Sequence, residues 1–411
     1  FQNGGLPTTQ TGPLATEWSS ELNVAWVANI DGYGQSTPIV ADGRVYVTSV
    51  DGPMKDDFLL AAFALSTGEK LWQQTYVNPS PKENTPMTSR AAPSPVADRD
   101  GCIAFFEGGL IVAVDRGGNL RWKRELVEDY GKLDARHGLA SSLEQDDQHV
   151  YTWIERSEDP YVLALDKKSG QNVWKVPGLG STTWASPRLI ETDWGRQLVC
   201  SASGKIVGLD PESGERLWEF TDISSNTACT PFPVTPNRFL MGASDGRGET
   251  ASGAGAASNG VIEISRDGDQ FVASFSWRAK KASSTFGSPV AVGDNAYIVN
   301  RAGVLYQLDL NSGERQAMTR TSAGGIWATP VATSEHLYVF GYRGTTAVIS
   351  LLDGKEIASN RLWELAGDDS GARGGHVLYA AAPASPFLLL RRGDSLFAVA
   401  MNEAEDETAS E

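Results

Sequence analysis

Ten residues whose side chains could bind a ligand each stand a few positions before a short apolar run of this sequence. Arginine, histidine and large aromatic residues dominate the set, although the 411-residue chain carries a formal net charge of −16. Aromatic faces and guanidinium groups together can hold a planar or anionic ligand. The set comprises Gln35, Arg90, Arg136, His137, Trp184, Asn226, Phe286, Trp327, Arg373 and His376.

These side chains have other interpretations. They could line a wet funnel whose polar groups bond water and loop backbone, or they could contact a protein partner. His137 or His376 could also act as a general base in a hydrolase or lyase. Other catalytic patterns are not met, because no Gly-x-Ser-x-Gly elbow stands on a strand-to-helix turn, and the glycines of 246–260 lack the strand and helix of a nucleotide site.

A repeated phrase indicates the elements that position these residues. Its clearest copies are Ala64–Trp72 and Gly208–Trp218, which contain a turn, Gly-Glu, a large apolar residue and Trp. A self-similar unit of about 40–55 residues, rich in short strands, is typical of a β-propeller blade. Each unit opens on a Ser/Thr-Pro pair before an apolar strand. The pairs begin at Thr37, Ser94, Ser186, Thr230, Ser288 and Thr329, and the third unit has Ser141-Ser142 instead.

We therefore predict an all-β fold, an eight-bladed β-propeller with four antiparallel strands per blade. The last strand group, beyond Gly375, has no tryptophan phrase, whereas the segment Asn23–Trp26 supplies one. The N-terminal strand should therefore join the last blade and close the ring. Residues 1–401 form a single domain in this interpretation, with 246–260 as a mobile loop insertion and 402–411 as a disordered acidic tail.

The tryptophan at the end of each phrase is predicted to be structural. A tryptophan that recurs at one place in a repeat packs between neighbouring blades, and its indole N–H bonds a local acceptor. In the sixth and seventh units Ala317 and Ala358 stand where the tryptophan is expected, so the phrase is incomplete there. The structural tryptophans are Trp26, Trp72, Trp122, Trp174, Trp218 and Trp277.

Composition excludes several function classes. The acidic charge and the lack of a basic stripe argue against nucleic acid, and no apolar run is long enough to predict an integral membrane protein. Cys102, Cys200 and Cys229 stand alone, so no zinc or iron–sulfur motif is present and no metal site is predicted. No signal peptide begins at Phe1, and we expect any export or lipid signal to have been removed.

The phrase Ala-Leu-Asp-x-x-Ser/Thr-Gly-Glu-x-Leu-Trp resembles the repeat of the pyrroloquinoline-quinone-like propellers, and the resemblance runs from about Trp18 to Ala400. One branch of that family, the quinoprotein alcohol dehydrogenases, holds a quinone and calcium at the centre of the ring. Another, the periplasmic propeller of the outer-membrane assembly machine, binds partners and catalyses nothing. The opening residues 1–26 are most similar to exported, uncharacterised bacterial members.

The resemblance implies a non-enzymatic, exported or periplasmic propeller that acts as a binding or scaffold protein of the bacterial cell envelope. Its partner would be a protein or a small molecule, and no cofactor is expected. The alternative that it implies is an oxidoreductase dependent on pyrroloquinoline quinone (PQQ) and calcium. The dehydrogenases use an adjacent Cys-Cys pair as one wall of the quinone slot, and this sequence has no such pair.

Overall fold

The structure is a computed structural model that describes residues 12–86, 88–135, 137–180, 184–244, 253–363 and 377–401. These residues form eight four-stranded antiparallel sheets, each a blade of a propeller. The predicted fold class and blade number are therefore confirmed. In blade 8 the N-terminal strand β1 (Val24–Asn29) pairs with the last strand, β32 (Ser395–Val399), as predicted, and the register places Trp26 opposite Ala398.

Blades 1 to 4 follow β1 in chain order, each running from the innermost to the outermost strand. Their strands are β2 (Ile39–Ala41), β3 (Arg44–Asp51), β4 (Asp57–Ala64) and β5 (Lys70–Val77); β6 (Val96–Asp98), β7 (Gly101–Phe106), β8 (Leu110–Val114) and β9 (Leu120–Glu125); β10 (Glu144–Gln145), β11 (His149–Ile154), β12 (Tyr161–Asp166) and β13 (Asn172–Pro177); and β14 (Arg188–Thr192), β15 (Gly195–Ala202), β16 (Lys205–Leu209) and β17 (Arg216–Phe220). The short helix α1 (Leu126–Tyr130) lies between blades 2 and 3.

Blades 5 to 8 repeat the plan, and a second short helix, α2 (Gly253–Ala256), precedes the third strand of blade 5. The strands are β18 (Phe232–Thr235), β19 (Arg238–Met241), β20 (Gly260–Asp267) and β21 (Gln270–Arg278); β22 (Val290–Val292), β23 (Asn295–Val299), β24 (Val304–Asp309) and β25 (Arg315–Arg320); β26 (Val331–Ala332), β27 (His336–Phe340), β28 (Thr345–Ser350) and β29 (Glu356–Arg361); and β30 (Leu378–Ala384), β31 (Phe387–Arg392) and β32, which β1 completes.

Around the axis, the Ser/Thr residues of the opening pairs link each blade to the one before it. Each hydroxyl oxygen accepts the backbone N–H of the equivalent residue in the preceding blade, at 2.9–3.2 Å. We call these contacts the inner hydroxyl ring. They run from Thr37 through Ser94, Ser142, Ser186, Thr230 and Ser288 to Thr329. Because these N–H groups are removed from water, a missing oxygen would leave an unsatisfied donor.

A buried arginine replaces this contact where blade 8 meets blade 1. Arg391 is fully buried, and its guanidinium donates to Ser36 Oγ at 3.0 Å and to the Thr48 carbonyl oxygen at 2.7 Å. Burial lowers the pKa of Arg391 to about 9. Gly34 permits this approach, because a Cβ there would lie 2.3 Å from Nη2 of Arg391.

Near the rim, five tryptophans join consecutive blades as predicted. Each indole N–H donates to a backbone oxygen in the turn before the outermost strand of the next blade, at 2.8–2.9 Å. Each ring also covers a glycine of that turn with φ between +70° and +84°, where a Cβ would meet the ring. We call these residues the docking tryptophans and these segments the receiving turns. The pairs are Trp26 with Leu65, Trp72 with Arg116, Trp122 with Lys167, Trp174 with Pro211, and Trp277 with Leu310.

Trp218 departs from this pattern, although it is buried as predicted. Its indole N–H donates to the side-chain oxygen of Gln197 in its own blade, at 2.6 Å. The reason lies in blade 5, where β20 and β21 are joined by a two-residue hairpin turn at Gly268 and Asp269. Gly268 of this turn has no aromatic ring over it, unlike the glycines of the receiving turns. The acceptor for the Trp218 indole therefore comes from within blade 4.

The two alanines at tryptophan places have different surroundings. Ala358 packs against a cluster that contains Leu14 and Trp18, and the Trp18 ring stacks on Tyr338 with centroids 6.3 Å apart. The backbone N–H of Trp18 donates to the side-chain oxygen of Asn360 at 2.9 Å. The N-terminal segment therefore fills the junction between blades 7 and 8. At Ala317 a cleft remains between blades 6 and 7.

The predicted insertion at 246–260 is described only in part. Residues 253–260 contain α2 and the fully buried Asn259, and Gly260 begins β20. The Asn259 side-chain amide donates to the Ala243 carbonyl oxygen, and its oxygen accepts the Ala243 N–H. This end of the segment is thus packed into blade 5, whereas 246–252 and the predicted tail 402–411 lie outside the described residues. Within the described chain, no helix has the length and apolar character needed to span a membrane.

Candidate ligand site at the channel mouth

The antiparallel order of the strands brings two kinds of segment to one end of the channel. The innermost strand of each blade runs away from this end and the second strand returns to it. Segments before innermost strands and loops between second and third strands therefore share this end, which we call the mouth. The receiving turns lie at the opposite end.

Six aromatic rings form a continuous chain of contacts around the mouth, the aromatic arc. Consecutive ring centroids lie 5.9–6.1 Å apart, and most pairs meet edge to face or tilted. In order, the rings are His137, Trp184, Phe286, Trp327, Tyr379 and Tyr33. Phe286 remains 44% exposed, so the arc offers aromatic surface to solvent.

Arg90 extends the arc to blade 2. Its guanidinium carbon lies 3.7 Å from the ring centroid of Tyr33, and Nη2 donates to the Tyr379 hydroxyl at 3.1 Å. The backbone N–H of Arg90 is in turn held by the side-chain oxygen of Gln35 at 2.9 Å. These bonds fix a cation beside the aromatic surface without any carboxylate partner among the described residues.

Hydrogen bonds from Tyr33 and Arg90 meet at the hydroxyl of Tyr379. It accepts hydrogen bonds from Tyr33 at 2.9 Å and from Arg90, which use both of its lone pairs. Burial raises the pKa of the Tyr33 phenol above its ordinary range, so Tyr33 stays a donor at neutral pH. No described residue accepts the proton of Tyr379. That proton and the Arg90 guanidinium can therefore both serve an anionic acceptor at the mouth.

A buried ion pair supports the Arg90 segment from below. Lys55 Nζ lies 3.3 Å from Glu107 Oε1 and also donates to the Ser89 carbonyl oxygen, while the Glu107 carboxylate accepts the N–H of Ala91. Burial lowers the pKa of Lys55 and raises that of Glu107. Lys55 and Ala91 have φ of +51° and +47°, a strained conformation that persists only where surrounding contacts impose it.

The predicted site residues fall into three groups. The structure brings Arg90, His137, Trp184, Phe286 and Trp327 together at the mouth, with Gln35 behind Arg90. The predicted Arg136, Arg373 and His376 lie outside the described residues. That any of these residues binds a ligand stays a prediction.

Asn226 differs from the expectation. Its side chain is fully buried, and its amide donates to Ser201 Oγ and the Ala202 carbonyl oxygen while its oxygen accepts the N–H of Gly204. All of these partners belong to blade 4. Asn226 therefore braces a loop of that blade, and in the segment that leads to blade 5 the Thr227 carbonyl oxygen accepts the backbone N–H of Trp184 at 2.7 Å.

Four residues at or below the mouth escaped the sequence argument. Tyr342, which stacks on Trp327 with centroids 5.8 Å apart, lies in a loop between second and third strands, as do Lys55 and Glu107. These three residues were missed because the predicted site residues were taken only from segments before innermost strands. Tyr379 was missed because it lies inside β30, one residue past the strand start. Counting both loop types of each blade would have found the first three.

The described donors do not suit the calcium of a quinone enzyme. Calcium takes oxygen ligands, mainly carboxylates and carbonyls. At this end of the described chain, the carboxylates of Glu107 and Asp394 are already paired with Lys55 and Arg392. In the described chain one group of metal-type ligands does come together, Asp146, His149 and Glu212, but it lies at the opposite end. The three cysteines are buried and separate, so they form no adjacent pair.

Comparison with known proteins assigns the chain to a family. A family model described as "Outer membrane protein assembly factor BamB" matches residues 2–151 and 132–316. The chain belongs to this family. The resemblance to pyrroloquinoline-quinone-like propellers is thereby confirmed. The BamB of Moranella endobia (strain PCIT) is 26% identical over 188 residues, and this match spans 46% of the present chain and 42% of that relative.

Solved structures of BamB and of two dehydrogenases share the fold. BamB from Moraxella catarrhalis superposes with a TM-score of 0.61 at 15% identity, over 92% of this chain and 97% of its own. The quinohemoprotein alcohol dehydrogenase of Comamonas testosteroni gives 0.58 at 11% identity, covering 93% and 77%. A europium-containing methanol dehydrogenase gives 0.60 at 13%, covering 92% and 88%. Identities this low show the fold alone, which hosts both kinds of protein.

Proposed function

We propose that this BamB-family chain is a non-catalytic binding protein of the bacterial cell envelope, and that the mouth is its binding surface. Membership of a family described as outer-membrane assembly factors supports the envelope role. The chain would act by holding a partner, with the propeller as a rigid scaffold.

The corner formed by Tyr379 and Arg90 is the observation that carries this proposal. The Tyr379 hydroxyl already accepts two hydrogen bonds, so its proton and the remaining N–H groups of the neighbouring guanidinium are available to donate to a ligand. The adjacent faces of Trp327 and Tyr33 offer stacking surface. This combination suits a carboxylate or another anionic group that is attached to an aromatic or apolar surface on the partner.

The described mouth favours binding over chemistry. His137 contacts the ring of Trp184, and no described serine, threonine or cysteine side chain bonds its imidazole. A hydrolase or lyase would need such a nucleophile, or a carboxylate to orient the base. The arrangement therefore provides recognition groups, and the hydrolase and lyase alternatives lack support from the described residues.

Site-specific photo-crosslinking tests the binding surface. A benzoylphenylalanine placed at Phe286 should crosslink the intact protein to a discrete envelope component. Trp194, which is similarly exposed at 42% against 44% but lies at the opposite end, is the matched control position. Tyr379→Phe and Trp327→Ala should each reduce the Phe286 crosslink. The proposal fails if both positions give the same products, or if neither substitution changes the yield.

Reconstitution tests the oxidoreductase alternative. We expect that pyrroloquinoline quinone with calcium gives no dye-linked alcohol oxidation, because the described mouth lacks a suitable calcium ligand set. Turnover that depends on both quinone and calcium would replace the proposed role with that of a quinone enzyme.

A further inference from the structure

The junction between blades 6 and 7 contains a receiving turn that no docking tryptophan occupies. Ala317 stands at the tryptophan place of β25, opposite Gln307, and a narrow cleft opens to solvent beside it. Its walls include Tyr297, Leu305 and Ile349. The cleft is thus the place where five other junctions of this chain hold an indole.

The receiving half of this junction is intact. Gly354 has φ of +69°, as Gly68 and Gly313 have +70° and +71° under their tryptophans. Leu351 is equivalent to the residues whose carbonyl oxygens accept an indole N–H at the five filled junctions, and no described residue donates to the Leu351 carbonyl oxygen. The turn therefore keeps the shape and the acceptor of an indole site.

A glutamine side chain lines the cleft beside Gly354. Gln307 approaches Gly354, with its Oε1 3.5 Å from the position of an added Cβ, and its amide bonds only the exposed Gln316 at 3.2 Å among the described residues. The residue opposite a docking tryptophan is alanine in four blades and Val261 in blade 5, so it is shorter than glutamine in every case. Gln307 is thus a displaceable cover, held by one exposed hydrogen bond.

The lip of this cleft is apolar, unlike the lips of filled junctions. Leu352 follows the acceptor carbonyl and is 96% exposed. The equivalent residues at filled junctions are polar or glycine, namely Ser66, Gly117, Lys168, Glu212 and Asn311. Ile357, which is 47% exposed, alternates with Ala358 in β29 and therefore lies on the side that faces blade 6. An exposed leucine and isoleucine beside an open cleft favour contact with a partner.

The neighbouring junction shows that a missing docking tryptophan can be replaced by a distant segment. At Ala358, residues Leu14 and Trp18 come from the other end of the chain and fill the space. The junction at Ala317 has no such filling from the described residues.

We propose that the cleft at Ala317 binds a tryptophan side chain carried on an extended segment of a partner protein. The indole ring covers Gly354, its N–H bonds the Leu351 carbonyl, and an apolar neighbour on the partner contacts Leu352. The geometry is that of the five filled junctions, and the site is independent of the mouth.

The chain's own sequence provides the probe. A peptide with the sequence of residues 69–75, carrying 5-fluorotryptophan at the Trp72 position, is titrated with the full chain and followed by fluorine NMR. We expect a saturable shift or broadening of the fluorine resonance, and no competition from the same peptide with alanine in place of tryptophan. A resonance that stays unchanged with the wild-type chain overturns the proposal.

Variants localise the binding. Ala317→Trp fills the cleft from within and should weaken peptide binding at least tenfold, whereas Met318→Trp, on the opposite side of the same strand, should leave it unchanged. Leu352→Glu, at a position that is 96% exposed, should weaken binding several-fold, and Gln307→Ala should strengthen it. Equal binding by Ala317→Trp, Leu352→Glu and the wild type overturns the proposal.

A last variant distinguishes a partner from the chain's own N-terminus. Phe1 is the only aromatic residue of segment 1–11. Equal peptide affinity for Phe1→Ser and the wild type supports a partner as occupant. Binding that is seen only in Phe1→Ser would mean that this segment fills the cleft, and the partner proposal would be wrong.

Discussion

The inner hydroxyl ring and the docking tryptophans connect the same blades but differ in constancy. The inner contacts recur from blade 1 to blade 7 without a break, whereas the tryptophan contact is altered at Trp218 and absent at Ala317 and Ala358. A buried N–H requires an acceptor, and a Ser or Thr hydroxyl supplies it at each of these positions. A half-open cleft near the rim can be filled by many groups. Constancy at the axis and variation at the rim follow from this difference in exposure.

The largest expected effect is at a filled rim junction. Trp174→Ala should lower the free energy of unfolding by about 3–5 kcal/mol, because a large buried aromatic is lost and the Pro211 carbonyl loses its donor. Urea denaturation measures the change. Trp174→Phe, which keeps a ring but no N–H, should cost less. An unchanged midpoint in the alanine variant would show that these tryptophans do not hold the blades together.

Substitutions in the inner hydroxyl ring should lower the free energy of unfolding by less, but the loss should depend on whether the new side chain keeps a hydroxyl. Ser186→Ala leaves the buried N–H of Ser142 without an acceptor, so it should cost about 1–3 kcal/mol in the same assay. Ser186→Thr, which copies blades 5 and 7, should cost much less. If both variants have the same stability, the hydroxyl has no role and the contrast between axis and rim is wrong.

Filling the open rim junction should stabilise the chain. Ala317→Trp in a Gln307→Ala background restores the pattern of the filled junctions and should add about 0.5–2 kcal/mol to the free energy of unfolding, the usual gain of cavity filling. Met318→Trp is the control, since it adds the same side chain away from the cleft. A loss of stability in the double variant alone would mean that the receiving turn has lost its capacity to bind an indole.

The smallest effect concerns the acids of the receiving turns. Backbone and side-chain hydrogen bonds from Ser312 lower the pKa of Asp309 below its ordinary value of about 3.8. A lowered folded-state pKa contributes stability above that ordinary value, and the contribution is lost as pH falls through the folded-state pKa. Wild-type thermal stability should therefore fall more steeply below about pH 4 than that of Asp309→Asn. Parallel pH profiles would contradict this role.

The repeat made the fold predictable, because each blade restates the same physical constraints. Ser142 illustrates this, since it keeps the hydroxyl of the inner ring although the usual proline is missing beside it. The pairing of Trp26 with the last blade was predictable because the final unit lacks a phrase of its own. Trp18 was not, because its partner Tyr338 is far away in sequence and no repeat position corresponds to it.

The candidate site was predictable only in part. Counting positions before each inner strand found five members that meet at the mouth, among them Arg90 and Trp327. It misplaced Asn226, because a residue type does not reveal whether an amide points outward or satisfies its own loop. It missed Tyr379, whose role depends on two hydrogen bonds from different blades. Such convergence exists only once the ring has closed.

The pairing of β1 with β32 also sets the order in which this molecule can be completed. Among the described strands β1 is synthesised first, and the strand that it pairs with, β32, follows some 370 residues later. Until that partner arrives, β1 presents unpaired backbone and blade 1 presents an uncovered apolar face, and both features promote the aggregation of incomplete β proteins. Long-range closure of this kind also slows folding. The chain is therefore most vulnerable during synthesis, and a factor that shields its leading strand would help it more than one that stabilises the finished ring.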